Sequence, residues 1–395
     1  SARGEGRLTG GGYVVTWAIG HLVALKEPEE LDERYRRWRA EDLPILPERM
    51  QLKVLPKTRA QFSVVKKLMN SREIRSIICA TDSGREGELI FRYIYEMAGC
   101  QKPVERLWIS SMTDEAIRAY LADIRAAMEL ERGARVLGAY LEGPYLAERV
   151  KGAHNAAKLR DPELTHYKAL TAGFEDEIRR VTLAPEKPGG MELVQYLKGR
   201  GVVASIGHSV ATAAEASRAV ALGITCSTHT CNGMEPLHHR KPGVLGVTLT
   251  DDGIRAEFIA DLVHIDPILI RLIYRAKGVE GCYFCTDSME AAGMPDGNYH
   301  LGNEAITVKN GMALKGESLA GSTLTMDQGV RNLAQKVGLP LADALRMGTR
   351  NPADVLERKD LGRVAIGAKA DFVLLDDGLR VCATYVRGRR EYSAR

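Results

Sequence analysis

The amino-acid sequence predicts an α/β protein of two parts, the second a (β/α) barrel that lacks its first strands and ends in a small β-domain. Strand-like and helix-like segments alternate up to about residue 125. After about residue 130, short apolar strands recur at roughly 15- to 30-residue intervals, as in repeated βα units. A complete barrel of this kind has eight strands, and only six are recognisable here.

The composition is that of an ordinary globular protein. The 395 residues, 45% hydrophobic and 27% charged, can bury a large core in two or three domains. No apolar run approaches the roughly 18 to 20 residues of a membrane span, and the seven cysteines are scattered. We therefore expect no membrane contact and a reducing, cytoplasmic location. The net charge of +4 is too small to indicate nucleic-acid binding by itself.

The amino-terminal elements follow an α/β order. Residues 1–12 are rich in Gly, and we expect them to be disordered. Residues 13–125 are predicted to form one α/β part. Its predicted elements are a strand in "YVVTWAIGHLV", a helix from about Arg59 to Asn70, a strand in "SIICATDS", a helix in "REGELIFRYIYEMAG", a strand in "RLWISS" and a helix in "TDEAIRAYLADIR".

Residues 126–355 are predicted to form the barrel, and its strand ends carry the chemical signal. Six successive strands each deliver a metal-ligand or proton-transfer side chain at the carboxyl end. These residues are Glu142, Glu186, His208, His229, His264 and Asp287. One such residue alone is most often a core polar group, but six in phase indicate the site of a (β/α) barrel. Residues 356–395 read as short strands with Gly turns, the small β-domain.

Three of these side chains suit a catalytic divalent metal. Glu142, His208 and His229 supply one carboxylate and two imidazoles and leave a position open for water. Zn²⁺ held in this way would lower the pKa of water from about 15.7 to about 7. Asp287 is placed to take the proton of the attacking water and return it to a leaving amine. His154, in "KGAHN", could polarise a carbonyl, although a single histidine of this kind is more often a surface loop residue.

From about residue 133 to 390 the sequence resembles the N-acetylglucosamine-6-phosphate deacetylase family of the amidohydrolase superfamily. The motifs "YLEGPY", "KGAHN", "SIGHS", "THTCNGM", "HHRKPG", "ADLVHID", "CTDSM" and "LAGSTLTM" occur in that family's order. The resemblance implies metal ligation by Glu142, His208 and His229, catalysis by Asp287 and acetamide contact by His154. One divalent ion is implied, Zn²⁺ first, with Fe, Co or Mn as alternatives. A second metal site, which often uses an H-x-H on an early strand, is not expected.

The same resemblance implies a set of substrate contacts. They are Ala153, His154, Asn232, Gly233, Arg240, His264, Leu319, Ala320 and Gly321. The substrate is then a small amino-sugar phosphate. In this family the residue matching Arg240 reaches the phosphate across a dimer interface, so we also expect a homodimer.

The amino-terminal part resembles another family, the Toprim region of bacterial type IA DNA topoisomerases of the topoisomerase III class. "GYVVTWAIGHLVALKEPEELDERYRRWRAEDLPILP" and "ICATDSGREGELIFRYIYEMAGC" carry this resemblance. In such domains acidic residues hold Mg²⁺ near DNA phosphates, which makes Asp82 and Glu86 the candidates for a Mg²⁺ site. DNA binding by this fragment is the implied partner interaction.

Together the two resemblances predict a metal-dependent hydrolase fused to a truncated topoisomerase fragment. Its reaction would convert N-acetylglucosamine 6-phosphate to glucosamine 6-phosphate and acetate. The alternatives are a Mg²⁺-dependent DNA-binding Toprim module and an inactive fusion of two fragments. Since the helix in "TDEAIRAYLADIR" completes the amino-terminal α/β pattern and "ARVLGAYLEGP" begins the first recognisable barrel strand, we expect two separately folding units with a boundary between about Asp123 and Arg135. Because missing barrel strands leave open sheet edges, we expect the carboxy-terminal part to be marginally stable.

Overall fold

The computed structural model divides the chain into two compact units, Ser1–Ser110 and Ser111–Arg395. It describes residues 2–4, 6–10, 12–18, 20–36, 39, 51–79, 81, 85–106, 113–131, 133–301, 304–316 and 318–394. Within these ranges, no helix is both long and apolar enough to cross a membrane.

Seven short strands lie in the described part of the first unit. They are β1 (Ala2–Gly4), β2 (Arg7–Gly10), β3 (Tyr13–Thr16), β4 (Val23–Leu25), β5 (Leu52–Val54), β6 (Ile77–Cys79) and β7 (Val104–Arg106). Strands β1, β2 and β3 form an antiparallel sheet, β4 pairs antiparallel with β5, and β6 pairs parallel with β7.

The α-helices of the described part are α1 (Pro28–Leu31), α2 (Arg59–Met69) and α3 (Arg85–Ala98). In α2, Phe62, Val65 and Met69 recur at the spacing of one helix face, and all three are buried. They pack in one apolar cluster with Phe91 and Ile94 of α3. This cluster is the core of the first unit.

Two sequence expectations for this unit need correction. The Gly-rich start, predicted to be disordered, instead pairs over Ala2–Gly4 and Arg7–Gly10, with Gly6 and Gly12 as turn residues of positive φ. The strand predicted across "YVVTWAIGHLV" is two strands, since it is interrupted after Thr16. The predicted helices at Arg59 and Arg85 are present, and the strand predicted in "RLWISS" falls largely outside the described residues.

The second unit is built on a six-stranded parallel sheet. In chain order its strands are β8 (Ala139–Glu142), β9 (Ile178–Leu183), β10 (Val203–Ile206), β11 (Ile224–Ser227), β12 (Arg255–Ile259) and β13 (Cys282–Cys285). Each strand pairs with the next along the chain, so all their carboxyl ends lie at one edge of the sheet.

The sheet curls, because side chains three strands apart touch. The Tyr140 hydroxyl of β8 lies 3.1 Å from Thr228 Oγ1 beyond β11, and Arg180 of β9 forms an ion pair with Glu257 of β12. Strands about 4.8 Å apart would hold such residues about 14 Å from each other in a flat sheet. The curl is that of a (β/α) barrel, as the sequence predicted. Among the described strands, none pairs with the outer edge of β8 or of β13, in agreement with the predicted incomplete barrel.

The helices of the second unit lie before, between and after these strands along the chain. They are α4 (Asp114–Met128), α5 (Leu164–Thr171), α6 (Gly190–Gly199), α7 (Ala213–Leu222), α8 (Gly243–Thr250), α9 (Pro267–Lys277), α10 (Met326–Arg331), a π-helix (Asn332–Val337), α11 (Leu341–Gly348) and α12 (Arg350–Val355). Local sequence fixes their starts: Thr212 and Glu215 form a capping box at α7, and Asp266 caps α9 ahead of Pro267.

Helix α4 belongs to the second unit, although the sequence assigned it to the first. Leu121 is fully buried in the cluster that holds Ile178 and Val181 of the barrel. Arg125 Nε lies 2.6 Å from Glu177 Oε1, next to β9. The boundary between the two compact units therefore lies between residues 110 and 111, and not at residue 125. An apolar helix face packs on whichever core matches it, and a helical pattern does not name that core.

Two small antiparallel sheets complete the second unit. The predicted carboxy-terminal β-domain contains β18 (Phe372–Leu375), β19 (Val381–Val386) and β20 (Arg389–Ser393). A sheet that the sequence did not predict lies after β13. Its strands are β14 (Gly297–Leu301), β15 (Glu304–Lys309), β16 (Met312–Lys315) and β17 (Ser318–Leu319).

Candidate metal centre and active site

Three of the predicted site residues leave the carboxyl ends of their strands in an unusual backbone conformation. His208, His229 and Asp287 have φ angles of 46°, 29° and 48°. Such left-handed conformations cost a residue other than Gly or Asn about 1 to 3 kcal/mol and concentrate at functional sites. The fold therefore forces these three side chains into the mouth of the barrel at an energetic cost.

Glu142, His208 and His229 converge on one point, as predicted. The Oε1 atom of Glu142 lies 2.8 Å from His208 Nε2 and 3.0 Å from His229 Nε2. The two Nε2 atoms lie 3.1 Å apart, and their imidazole planes are nearly perpendicular. Both histidines are buried, and Glu142 is half-buried. One side-chain atom from each of three strands thus faces a shared space.

The surroundings of His208 select the nitrogen that faces this space. Its Nδ1 atom lies 2.7 Å from the carbonyl oxygen of Val150, to which it donates a proton. The Nε2 atom of the neutral ring then carries a lone pair directed at the Glu142 carboxylate. Two electron-rich atoms at this distance repel each other unless a cation or a proton lies between them.

The charges of the cluster also indicate that a cation is favoured next to Glu142. Burial raises the pKa of Glu142, but His229 and the hydrogen bonds of three histidines outweigh it, so this pKa lies well below its usual range. Burial lowers the pKa of His229, but Glu142 more than compensates and raises it to about 9. The cluster thus favours a positive charge beside the Glu142 carboxylate.

This donor set fits a divalent metal ion. Two imidazoles and one carboxylate are ligands of catalytic zinc, and a tetrahedral ion bonded at about 2.0 to 2.2 Å sets its ligand atoms roughly 3.3 to 3.6 Å apart. The three donor atoms of Glu142, His208 and His229 lie within 4.8 Å of one another. A small movement of the side chains therefore suffices to hold an ion.

Asp287 and His154 lie beside this cluster. Burial first, and then the Glu142 carboxylate, raise the pKa of Asp287 to about 6. His154 Nε2 lies 3.6 Å from Glu142 Oε1, and its ring meets the ring of His208 edge-on with centroids 5.1 Å apart. The structure thus brings both predicted catalytic residues to the predicted metal ligands.

Several of the predicted substrate contacts lie around the same mouth. Asn232 donates to the carbonyl oxygen of His229 at 3.3 Å, and Gly233 packs against the His208 ring. Ala153 packs on the apolar cluster that contains Ala320. These contacts place four of the predicted substrate residues next to metal ligands or to each other.

The other predicted substrate residues differ in their placement. Leu319, Gly321 and His264 line a polar cavity of about 410 Å³. His264 Nδ1 lies 2.7 Å from Asp261 Oδ2, which fixes the ring. Arg240 is exposed, and its described side-chain contact is with His239, at 2.8 Å. Within the single chain, Arg240 therefore has no described contact with Glu142, His208 or His229.

The predicted Mg²⁺ site of the first unit has no described geometry. Asp82 lies outside the described residues. Glu86 lies in helix α3, and its side chain is likewise outside the described part. The site remains a prediction.

Sequence reasoning missed residues that support the cluster from behind. Glu186, noted as a strand end without a role, accepts from the Ser209 hydroxyl and the Val210 N–H, both at 2.7 Å, and so holds the loop that follows His208. Arg180 and Glu257 form a buried ion pair inside the curled sheet. The sequence signal that could have revealed this pair is a charged residue inside each of two apolar strands, β9 and β12.

Comparison with known protein families agrees with the fold and the cluster. The sequence profile of the Amidohydrolase family matches residues 109–390, and that of the Toprim domain matches residues 2–112. A curled parallel sheet with metal-ligand side chains at its carboxyl ends, matched over most of the chain, defines the class: the chain belongs to the amidohydrolase family.

Within this family, the chain is similar to deacetylases of amino-sugar phosphates. It is 41% identical over 257 residues to an N-acetylglucosamine-6-phosphate deacetylase of Lysinibacillus sphaericus, covering 65% of this chain and 66% of that protein. It is 37% identical over 291 residues to an N-acetylgalactosamine-6-phosphate deacetylase of Escherichia coli O157:H7, covering 71% and 77%. The chain thus spans about two thirds to three quarters of the length of these relatives.

Solved structures of similar proteins carry the same description. N-acetylglucosamine-6-phosphate deacetylase of Thermotoga maritima matches with a TM-score of 0.68 and 31% identity, covering 80% of this chain and 88% of that one. The enzyme of Pasteurella multocida matches with a TM-score of 0.67 and 30% identity, covering 74% and 76%. The predicted resemblances to the deacetylase family and to Toprim, and the predicted barrel fold, are confirmed.

Proposed function

We propose that the second unit is a metal-dependent deacetylase that hydrolyses N-acetylglucosamine 6-phosphate to glucosamine 6-phosphate and acetate. The observation that carries this proposal is the convergence of Glu142, His208 and His229 at the carboxyl ends of three barrel strands. The name of the relative at 41% identity supports the choice of substrate.

In this proposal Glu142, His208 and His229 hold one divalent ion, Zn²⁺ first, with Fe, Co or Mn as alternatives. The ion, when bound, supplies a Lewis acid that lowers the pKa of water from about 15.7 to about 7. Val150 keeps His208 in the tautomer that offers Nε2 to the ion. The buried positions of both histidines exclude bulk water from the ligand side of the site.

Asp287 moves the proton in the proposed reaction. With a pKa of about 6 it is mostly ionised at neutral pH, yet it binds a proton readily. It takes the proton of the attacking water, and it then passes this proton to the nitrogen of the amide as the bond to the acetyl carbon breaks. The products are acetate and a free amine. His154, whose Nε2 lies 3.6 Å from Glu142 Oε1, would orient the acetamide carbonyl.

The sugar phosphate is proposed to lie across the mouth of the barrel. Gly233 lies against the His208 ring, Ala153 packs on the apolar cluster that contains Ala320, and His264, Leu319 and Gly321 line the neighbouring cavity. Asn232 bonds to the carbonyl oxygen of His229. Arg240 is exposed in the single chain, and it would bind the phosphate of the substrate held by a neighbouring subunit. The proposal therefore includes a homodimer.

A second candidate function concerns the first unit alone. The Toprim match over residues 2–112 supports a Mg²⁺-dependent nucleic-acid-binding module with Asp82 and Glu86 as candidate ligands. The open edges of the barrel support a third possibility, an inactive fusion.

One experiment separates the three candidates. The purified chain is stripped of metal, reloaded with Zn²⁺, and assayed for acetate release from N-acetylglucosamine 6-phosphate, with the galactosamine isomer alongside. A filter-binding assay with single-stranded DNA, with and without Mg²⁺, runs in parallel. We expect Zn²⁺-dependent acetate release. DNA binding without acetate release would support the Toprim module, and neither activity would support the inactive fusion.

A further inference from the structure

A layer of polar side chains crosses the interior of the barrel beneath the metal cluster. Its members come from five neighbouring strands or their ends, where an apolar core is the usual filling. We call it the polar layer. It consists of Tyr140, Arg180, Thr182, Ser205, Thr228 and Glu257.

The centre of the polar layer is the ion pair of Arg180 and Glu257. The guanidinium meets both carboxylate oxygens, with Nη2 3.1 Å from Oε1 and Nη1 in close contact with Oε2. The two residues are only 5% and 4% exposed. The ring of Tyr140 lies over the guanidinium, 4.3 Å from Cζ. Because both charges lose their hydration, such a pair adds little to stability compared with apolar side chains of similar volume.

Hydroxyl groups connect the ion pair to the rest of the layer. Arg180 Nη2 donates to Ser205 Oγ at 2.8 Å. Ser205 Oγ and Thr182 Oγ1 each lie 2.7 Å from Thr228 Oγ1, and the Tyr140 hydroxyl contacts both threonines. These bonds link β8 to β11 through side chains as well as through the backbone.

The polar layer reaches the metal ligands through Glu257. Its Oε1 atom accepts the backbone N–H of His229 at 3.3 Å, and its backbone carbonyl accepts the N–H of Thr230 at 2.6 Å. His229, like His208, has a left-handed φ, here 29°, and its buried Nδ1 atom has no hydrogen-bond partner among the residues that the structure describes. The Nδ1 side of this ring is therefore not held by a hydrogen bond, unlike Nδ1 of His208, so the orientation of the ring depends on the backbone and on the contacts of Nε2 with the other two ligands.

We propose that Glu257, held in place by Arg180, is a positioning residue that fixes the metal ligand His229. The ion pair orients Oε1 toward the His229 N–H and holds the strained turn that aims the imidazole at Glu142. This role accounts for a charged pair at a place where stability alone would be served by apolar side chains. The inference rests on the metal site of the proposed function and not on its substrate.

The test compares the removal of one charge with the removal of both. Arg180→Met/Glu257→Leu replaces the pair by apolar side chains of similar size and is expected to fold, with a urea midpoint near that of the wild type. It lacks the acceptor for the His229 N–H. We expect its Kd for Zn²⁺, measured by competition with a chromogenic chelator, to rise about 10- to 100-fold. Glu257→Gln keeps an amide oxygen that can accept the His229 N–H. If this single variant folds, its Kd for Zn²⁺ should rise less than that of the double variant.

Glu177→Gln is the matched control. Glu177 is also buried and paired with an arginine, but it precedes β9 at the end of the sheet away from the metal ligands. This variant should lower the urea midpoint and leave the Kd for Zn²⁺ unchanged. The visible spectrum of bound Co²⁺ should change in Arg180→Met/Glu257→Leu and not in Glu177→Gln.

A double variant that binds Zn²⁺ with wild-type affinity would overturn the inference, and so would a wild-type chain that binds no Zn²⁺. A double variant that does not fold would also overturn it, because the pair would then be structural. Deacetylase activity enters none of these measurements, so a failure of the proposed reaction would leave the positioning role intact.

Discussion

At the scale of single residues, the site separates ligation from proton transfer. Asp287 stands among the charges of Glu142 and His229, but its carboxylate is not one of the three donors that converge. We expect Asp287→Asn to lower the rate of acetate release by about 10² or more, because the amide cannot accept the proton of the attacking water. Zn²⁺ content, measured by atomic absorption, should stay near one ion per chain. A variant that loses its zinc would identify Asp287 as a ligand.

Gly207 shows how closely the polar layer and the ligands are packed. A Cβ at this position would lie 2.6 Å from Thr228 Cβ and 2.8 Å from Thr182 Cγ2. Gly207→Ala should therefore lower the free energy of unfolding by about 1 to 3 kcal/mol and weaken Zn²⁺ binding through the neighbouring His208. The control is Gly199→Ala in helix α6, where a Cβ meets nothing within 4 Å and alanine is the better helix former. Equal effects of the two substitutions would contradict the packing argument.

At the scale of secondary-structure elements, helix α4 tests where the second unit begins. Leu121 is completely buried against the barrel, so Leu121→Ala should lower the free energy of unfolding of this unit by about 2 to 5 kcal/mol. Leu130, 59% exposed just after the helix, is the control, and Leu130→Ala should change stability by less than about 0.5 kcal/mol. Urea unfolding followed by circular dichroism measures both. A silent Leu121→Ala would mean that α4 does not contribute to the barrel core.

The carboxy-terminal sheet is joined to the segment before β8 by an acid-sensitive contact. Burial raises the pKa of Asp371, but Arg135, whose Nε and Nη2 atoms each lie 3.1 Å from a carboxylate oxygen, more than compensates and lowers it. A carboxylate with a depressed pKa in the folded state stabilises above its ordinary pKa of about 3.8, and this stabilisation is lost as the pH falls through the depressed value.

Asp371→Asn should therefore destabilise the chain at pH 7, by about 1 kcal/mol for a partly exposed pair. The difference from the wild type should narrow as the pH is lowered toward 3. Urea unfolding at both pH values measures it, with Asp377→Asn, a variant of the exposed carboxylate in the following turn, as the control. A difference that is constant with pH would exclude the ion pair as its cause.

The elements that sequence predicted well are those whose signal is local. The strands before Glu142, His208 and His229 are short apolar runs with a polar end, and the parallel sheet brings those ends together without further information. The partner of α4 was predicted incorrectly because an amphipathic pattern does not specify its core. The sheet β14–β17 was missed because β14, β16 and β17 are short and mostly half-exposed, so their alternation is weak. In β15, buried Ile306 and Val308 alternate with exposed residues, which is a strand signal that the sequence did contain. The pair Arg180 and Glu257 depends on contact between strands three apart, which no local pattern contains.

At the scale of the whole molecule, the barrel lacks pairing at both outer edges of its described sheet. Tyr140 on the edge strand β8 is 41% exposed, although its hydroxyl belongs to the polar layer inside. Open parallel edges and exposed apolar faces reduce stability and favour association. In such a sheet, side-chain contacts between strands that are not neighbours stabilise the fold in addition to the backbone pairing. The polar layer connects β8 to β12, and the ligand cluster connects the carboxyl ends of β8, β10 and β11.

A bound metal ion should therefore stabilise the whole second unit and not the site alone. An ion that binds only the folded chain raises the free energy of unfolding by about 2.7 kcal/mol at 100 times its Kd. For a unit of this size that corresponds to a rise in Tm of roughly 4 to 5 °C. Differential scanning fluorimetry of the chelator-treated chain, with and without Zn²⁺, measures the shift. His229→Ala removes one ligand and should abolish the shift, while Mg²⁺ at the same concentration should change the Tm of the second unit of the wild type little. A wild-type Tm that does not respond to Zn²⁺, or a His229→Ala variant that responds as strongly, would show that Glu142, His208 and His229 do not bind the ion that links these strands.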